Sequence, residues 1–203
     1  IPGSNIPMAA LGVWILWLGW FGFNGGSELV VSNEAAAIAV SQVFLNTNIA
    51  AAGGVVATLI TSQLVTKKMD ITMAMNGAIA GLVAITAAPS APTAGAALMI
   101  GAVGGIIVYF SLIILDRRFG IDDPVGAISA HGVVGIWGVM AVVFTGGSLV
   151  HQFVGVVAIA GFTYVMSLLT ILFIDRFITI RATDAEQELG LDASEIGVKS
   201  TTY

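Results

Sequence analysis

The chain has 203 residues, 57% of them hydrophobic and only 9% charged, against roughly a quarter charged in an average soluble domain. Seven basic and twelve acidic side chains cannot cover a water-facing surface of this size, and a mean hydropathy of +0.99 points to a polytopic membrane protein. The net charge of −5 includes no basic patch on which nucleic-acid binding could rest, and the absence of Cys excludes thiolate metal sites, disulfides and cysteine nucleophiles.

Six apolar segments follow one another, near residues 8–27, 35–65, 71–88, 93–115, 124–145 and 149–178. Each is long enough, or nearly so, to cross about 30 Å of hydrocarbon. The first is entered without a basic region or signal-peptide pattern, and the chain begins with Ile1, as expected of a processed chain or a piece of a longer protein. The second is interrupted by Asn46-Thr47-Asn48, so its first half is expected to be interfacial or packed inside the bundle. Breaks fall at residues 24–34, 65–70, 89–92, 116–124 and 145–148, where polar and chain-breaking residues collect. Glycine-rich runs at residues 77–81 and 101–105 are expected to be small-residue helix contacts.

Orientation follows from the basic residues. Lys67 and Lys68 lie between spans two and three, Arg117 and Arg118 between four and five, and Arg176 and Arg181 at the end of span six and beyond it, all on one side. The loops of the other side carry no Lys or Arg, so the positive-inside rule places the N-terminus and the tail in the cytoplasm of a multi-pass cell-membrane protein. Residues 1–180 thus read as a transmembrane helical domain and 181–203 as a cytoplasmic acidic tail of net charge −3. Thr183 and Glu186 have the spacing of a capping box for a short helix over residues 184–191. That tail is either a solvated acidic segment or a docking site for a partner.

One ionisable residue lies deep in a span. Asp123 reads as a helix N-cap with Pro124 in the first turn, which places His131 roughly 12 Å past the helix start, close to the bilayer centre. An imidazole at that depth is paired or faces a pore. Ala127, Gly135 and Gly138 share its face at spacings of four and seven and leave room beside the ring. A second constellation, Trp14, Trp17, Trp20, Phe21, Phe23, Asn24 and Ser27, ends span one. Trp20, Phe23 and Ser27 fall on one face, readable as an interfacial aromatic belt or as a small cation site of ring faces and a hydroxyl. Asp122 and Asp123 read better as a helix cap than as part of a metal or acid/base site, and His151 as interfacial. No P-loop, Gly-x-Ser-x-Gly or His-Glu-x-x-His pattern occurs, no cofactor is expected, and an enzyme built on Asp122, Asp123 and His131 is disfavoured by their separation along one helix.

Taken together, residues 19–27 (GWFGFNGGS), Asn33-Glu34, 77–83 (GAIAGLV), Asp122-Asp123-Pro124, 131–135 (HGVVG) and the tail run 186–192 (EQELGLD) resemble the ammonium transporter family (Amt/Mep/Rh) in order and spacing. The resemblance implies an all-α membrane fold of eleven helices, two inverted repeats of five and a last long helix, assembled as homotrimers with one pore per subunit. This chain resembles the sixth to eleventh helices and the tail. The first half would hold the other pore histidine, the first of two stacked pore phenylalanines and a tryptophan of the outer site. Carried over, Phe23 is similar to the second gating phenylalanine, Trp20 to a pore-wall aromatic, Ser27 to the outer ammonium-site hydroxyl and His131 to the second pore histidine.

The function so implied is transport of ammonium, and of methylammonium, through a narrow hydrophobic pore. The cation is captured outside by aromatic rings and a hydroxyl and deprotonated before neutral ammonia passes the histidine. A PII-type regulatory protein at the tail is the implied partner besides membrane lipid and the missing N-terminal half. The competing expectation is a non-conducting ammonium sensor or scaffold that signals through the tail.

Overall fold

A computed structural model of the chain describes residues 5–199, and among them there are helices and turns but no strand. Contacts divide the chain into a unit that ends at Phe153 and one that starts at Val154.

In the first unit, α1 spans Ile6–Gly26, α2 Glu34–Thr66, α3 Ile71–Ile85 and α4 Ala94–Phe119. A π-helical turn, Ile128–Val133, then leads into α5, Val134–Ala141, which tightens into a 3-10 turn at Val142–Thr145. Side chains that offer an oxygen to the first-turn amides fix most of the starts: Asn5 caps α1, Asn33 α2, Asp70 α3 and Thr93 α4. Left-handed residues stop three elements, Lys67 after α2, Gly120 after α4 and Gly146 after the 3-10 turn. Four elements of this unit are long and apolar enough to cross a membrane, α1, α2, α4 and the stretch Ile128–Thr145. With 15 residues, α3 is shorter, and residues 86–88, expected within the third span, form a turn.

The core is where α2, α3 and α4 pack together. Their backbones touch through small residues: a Cβ on Gly54 would strike Gly77, one on Gly81 or Gly101 would strike Ala50, and one on Gly105 would strike Gly54. Small residues serve this purpose in lipid, where apolar tails remove the hydrophobic drive and close backbone approach supplies the attraction. Thr58 Oγ1 lies 2.7 Å from the Gly54 carbonyl and 2.9 Å from that of Gly105, one hydroxyl shared across α2 and α4.

The expected interruption at Asn46-Thr47-Asn48 is absent, and α2 runs unbroken through it. Asn46 and Thr47 are fully buried because they bind neighbours. The Asn46 amide donates to the carbonyls of Pro89 and Pro92, both at 2.8 Å, which ties down the turn after α3. Polar residues that read as a break are the hydrogen-bond partners of a loop.

The second unit contains most of α6, Leu149–Asp175. None of the residues of α6 is buried, and the helix is long and apolar enough to span a bilayer. After it come α7, Asp184–Leu189, and a π-helical turn at Asp192–Ile196. The helix expected over 184–191 ends at Leu189 because Gly190 takes φ +93°. The Thr183/Glu186 capping box is formed at both ends: the Glu186 amide donates to the Thr183 hydroxyl and the Thr183 amide to the Glu186 carboxylate.

Candidate functional site

A groove of about 720 Å³ opens in the first unit between α1, the end of α3 and the segment that carries His131. Ile15, Leu16, Gly19, Trp20 and Phe23 line it from α1, Val83, Thr86 and Ala87 from α3 and the turn after it, and His131, Gly135 and Val139 from the third side. Three residues expected from sequence to carry chemistry, Trp20, Phe23 and His131, meet here.

The opposite face of α1 is pinned to α2, which leaves these side chains on the groove side. Asn24 Nδ2 donates to Thr47 Oγ1 at 3.0 Å in a buried site. A Cβ on Gly25 would strike the Phe44 ring, against which Phe21 packs edge-on, 5.6 Å between centroids. Trp14 and Trp17 stack on each other at 5.9 Å and do not line the groove. Trp20 does: its indole lies 15° from parallel with the His131 imidazole at 6.2 Å between centroids, and Phe23 meets it edge-on at 6.0 Å. Trp20 Nε1 donates to Thr86 Oγ1 at 2.8 Å, and that hydroxyl donates to the Leu82 carbonyl at 2.7 Å.

The segment bearing His131 departs from the expected geometry. Asp123 does cap, but across a turn: its carboxylate oxygens accept from the amides of Ile128 at 3.1 Å and Ser129 at 3.0 Å. Pro124 and Val125 lie in that turn, and Gly126 takes φ +74° against Asn76 Oδ1. The helical segment starts at Ile128, three residues before His131, so the distance expected from a start at Pro124 does not hold. A π-helical turn also closes i to i+5 rather than i to i+4, and the i+4 relation between Ala127 and His131 is lost with it. Ala127 is exposed and outside the groove lining, whereas Gly135 is part of it. Gly138 seats instead against Ala84, where a Cβ would lie 2.8 Å from the carbonyl oxygen.

Anchors on the far side hold the imidazole toward the groove. Ser129, Ala130 and Val134 are buried, Ser111 Oγ donates to Ser129 Oγ at 3.0 Å, and Trp137 Nε1 donates to the Ile100 carbonyl at 3.0 Å. His131 itself is exposed in the groove. Ser27, one turn beyond Phe23 as the residue that ends α1, is exposed and donates its hydroxyl to the Phe23 carbonyl at 2.7 Å. It does not line the groove. Sequence reasoning missed Thr86, whose only local sign was a hydroxyl residue at the end of a small-residue helix.

No group of three or more potential metal ligands occurs among the described residues, and Asp123 acts as a cap. Two carboxyls outside the long apolar helices deviate from ordinary behaviour. Burial pushes the Asp70 carboxyl up, but the Thr72 hydroxyl and the Thr72 and Met73 amides together outweigh it and hold it below the usual range. The Glu186 carboxyl is held down by the Thr183 hydroxyl first and then by the Thr183 amide.

Comparison with known proteins agrees with this architecture. The model of the Ammonium Transporter Family matches residues 1–201. An ammonium transporter of Bacillus subtilis is 35% identical over 97% of the chain and 52% of its own length. Ammonium transporter Amt2 of Archaeoglobus fulgidus is 38% identical over 96% of the chain and 45% of its own length. Among solved structures, one called Sensor Amt Protein superposes with a TM-score of 0.87 at 34% identity, covering 95% of this chain and 49% of that one. Mep2 of Candida albicans superposes with a TM-score of 0.78 at 29% identity, covering 90% and 44%. The chain therefore spans about half the length of the curated relatives it matches.

Proposed function

The chain belongs to the ammonium transporter family, and on that premise we propose that its groove is one wall of a pathway for ammonium and ammonia, the facing wall coming from a five-helix first half. The observation that carries this reading is the meeting of Trp20, Phe23 and His131 in a single groove, in a chain whose apolar helices make it a multi-pass membrane protein. Ammonium loses its hydration on entry, and the ring faces of Phe23 and Trp20 offset part of that cost by about 0.5–2 kcal/mol each. Ser27 suits capture because its proton is already given to the Phe23 carbonyl, which leaves its oxygen lone pairs to accept N–H bonds from a cation.

Beyond Phe23 the wall is apolar apart from the Trp20, Thr86 and His131 polar groups. A bare cation is disfavoured there, so its proton passes to the imidazole pair that His131 forms with the first half, and ammonia moves along it. The proton is relayed only where a second imidazole faces His131, and that one belongs to the first half. Transport of this kind forms and breaks no covalent bond other than N–H, so no enzymatic step or cofactor enters. The same reading places the N-terminus and the tail in the cytoplasm, sets the assembly as a homotrimer, admits methylammonium, and gives the tail to a PII-type regulator.

His131→Ala tests it directly. With the chain assembled with a first half in liposomes, the variant should change the rate of ammonium movement or the charge that accompanies it, while unchanged electrogenic flux removes His131 from the pathway. A second reading, a non-conducting sensor that signals through the tail, is favoured by the close superposition on the structure called Sensor Amt Protein. Ammonium binding without flux in the same liposomes would select it.

A further inference from the structure

We propose that Thr86 is a positioning residue of the groove, a hydroxyl that fixes the plane of the Trp20 indole and, through it, the plane of the His131 imidazole. The polarity of the hydrogen bonds is determined. An indole N–H can only donate, and that of Trp20 donates to Thr86 Oγ1 at 2.8 Å. The Thr86 hydroxyl gives its one proton to the Leu82 carbonyl at 2.7 Å, which holds the lone pair turned toward α1 in a set direction. A valine in this place would keep the shape and leave the indole N–H without an acceptor.

His131 has no such restraint of its own. Among the described residues its imidazole has no hydrogen-bond partner, and rotation of an imidazole about its χ2 bond is broad. The ring paired with it is the indole, 15° from parallel at 6.2 Å between centroids. The restraint therefore passes from α3 to α1 to the π-helical turn, across 66 residues of sequence between Trp20 and Thr86. It joins the three elements that enclose the groove. Thr86 itself borders the groove, but its proton and one lone pair are engaged, and its part is to hold the ring pair parallel.

The consequence for transport rests on the pathway reading above, so two readouts are needed. In the 203-residue chain in lipid nanodiscs, NMR of the Trp20 indole N–H and the His131 ring reports the geometry whether or not ammonium moves. In liposomes that hold the chain with a five-helix first half, flux reports the consequence. Thr86→Val should shift the indole resonance and broaden the His131 ring signals. It should also lower maximal flux roughly three- to tenfold, with a smaller change in the half-saturating ammonium concentration, because Ser27 and Phe23 stay in place for capture when the indole turns. Thr86→Ser, which restores the hydroxyl without the methyl, should return both readouts toward those of the parent protein.

Unmoved Trp20 and His131 signals in a folded Thr86→Val protein would overturn the proposal. So would equal defects in the Val and Ser variants, or a loss of flux made up wholly by a rise in half-saturation. Resonances that respond as expected in a protein that moves no ammonium would contradict the pathway reading while supporting the positioning role.

Discussion

Ser27, proposed above as the capture hydroxyl, is first of all a helix terminus. A serine at the end of a helix commonly returns its hydroxyl to the carbonyl four residues back, and Ser27 does so with Phe23. The oxygen keeps its lone pairs free to accept, which suits the proposed capture of an ammonium ion. Ser27→Ala should therefore raise the half-saturating concentration of ammonium or methylammonium roughly two- to tenfold, one lost hydrogen bond, with maximal flux little changed. An unaltered half-saturation in the folded variant would take the hydroxyl out of the site. The aromatic and imidazole members of the groove were legible in the sequence because Trp, Phe and His are rare in an apolar chain and draw attention. Thr86 was not, because a hydroxyl bonded to its own helix has no spacing that points to an indole 66 residues earlier.

Among the helical elements, the segment around His131 marks where local rules mislead. Asp-Asp-Pro ahead of an apolar run reads as a cap and first turn. The structure keeps the cap and moves the helix, because Gly126 at φ +74° inserts a turn that lets Asp123 reach two amides farther along. The π-helical turn that follows rotates the face, which drops Ala127 from the groove and keeps Gly135. The small-residue runs at 77–81 and 101–105 were legible as packing, since their spacing alone places them on contact faces. The tail behaves as its motif suggests. The Glu186 carboxyl lies below its ordinary value because the Thr183 hydroxyl and amide bind its ionised form. Its contribution to α7 is accordingly complete above the ordinary carboxylate range and is lost as pH falls through the lowered value. Hydrogen exchange across the α7 amides should accelerate, beyond the intrinsic trend, as pH falls below the ordinary carboxylate range. Glu186→Gln should remove that acid step; if it persists unchanged, another group melts the helix.

For the whole molecule, the groove is open. Phe23 is 60% exposed and His131 is exposed as well, and an ionisable side chain left facing hydrocarbon is costly. On the proposed reading the facing wall comes from the length that this chain does not span, since it covers 52% and 45% of two relatives. The fold class was legible from composition and span count. The unbroken course of α2 through Asn46 and Thr47 was not, because buried polar residues that bind a loop look the same in sequence as a break.

The account stands on one measurement, ammonium flux in proteoliposomes made with the 203-residue chain alone, with the chain plus a five-helix first half, and with the same pair carrying His131→Ala. It predicts a silent first preparation, ammonium-dependent flux in the second and an altered rate or accompanying charge in the third. Robust, His131-dependent currents from the chain by itself would contradict it, and would mean that copies of this chain close the groove on one another.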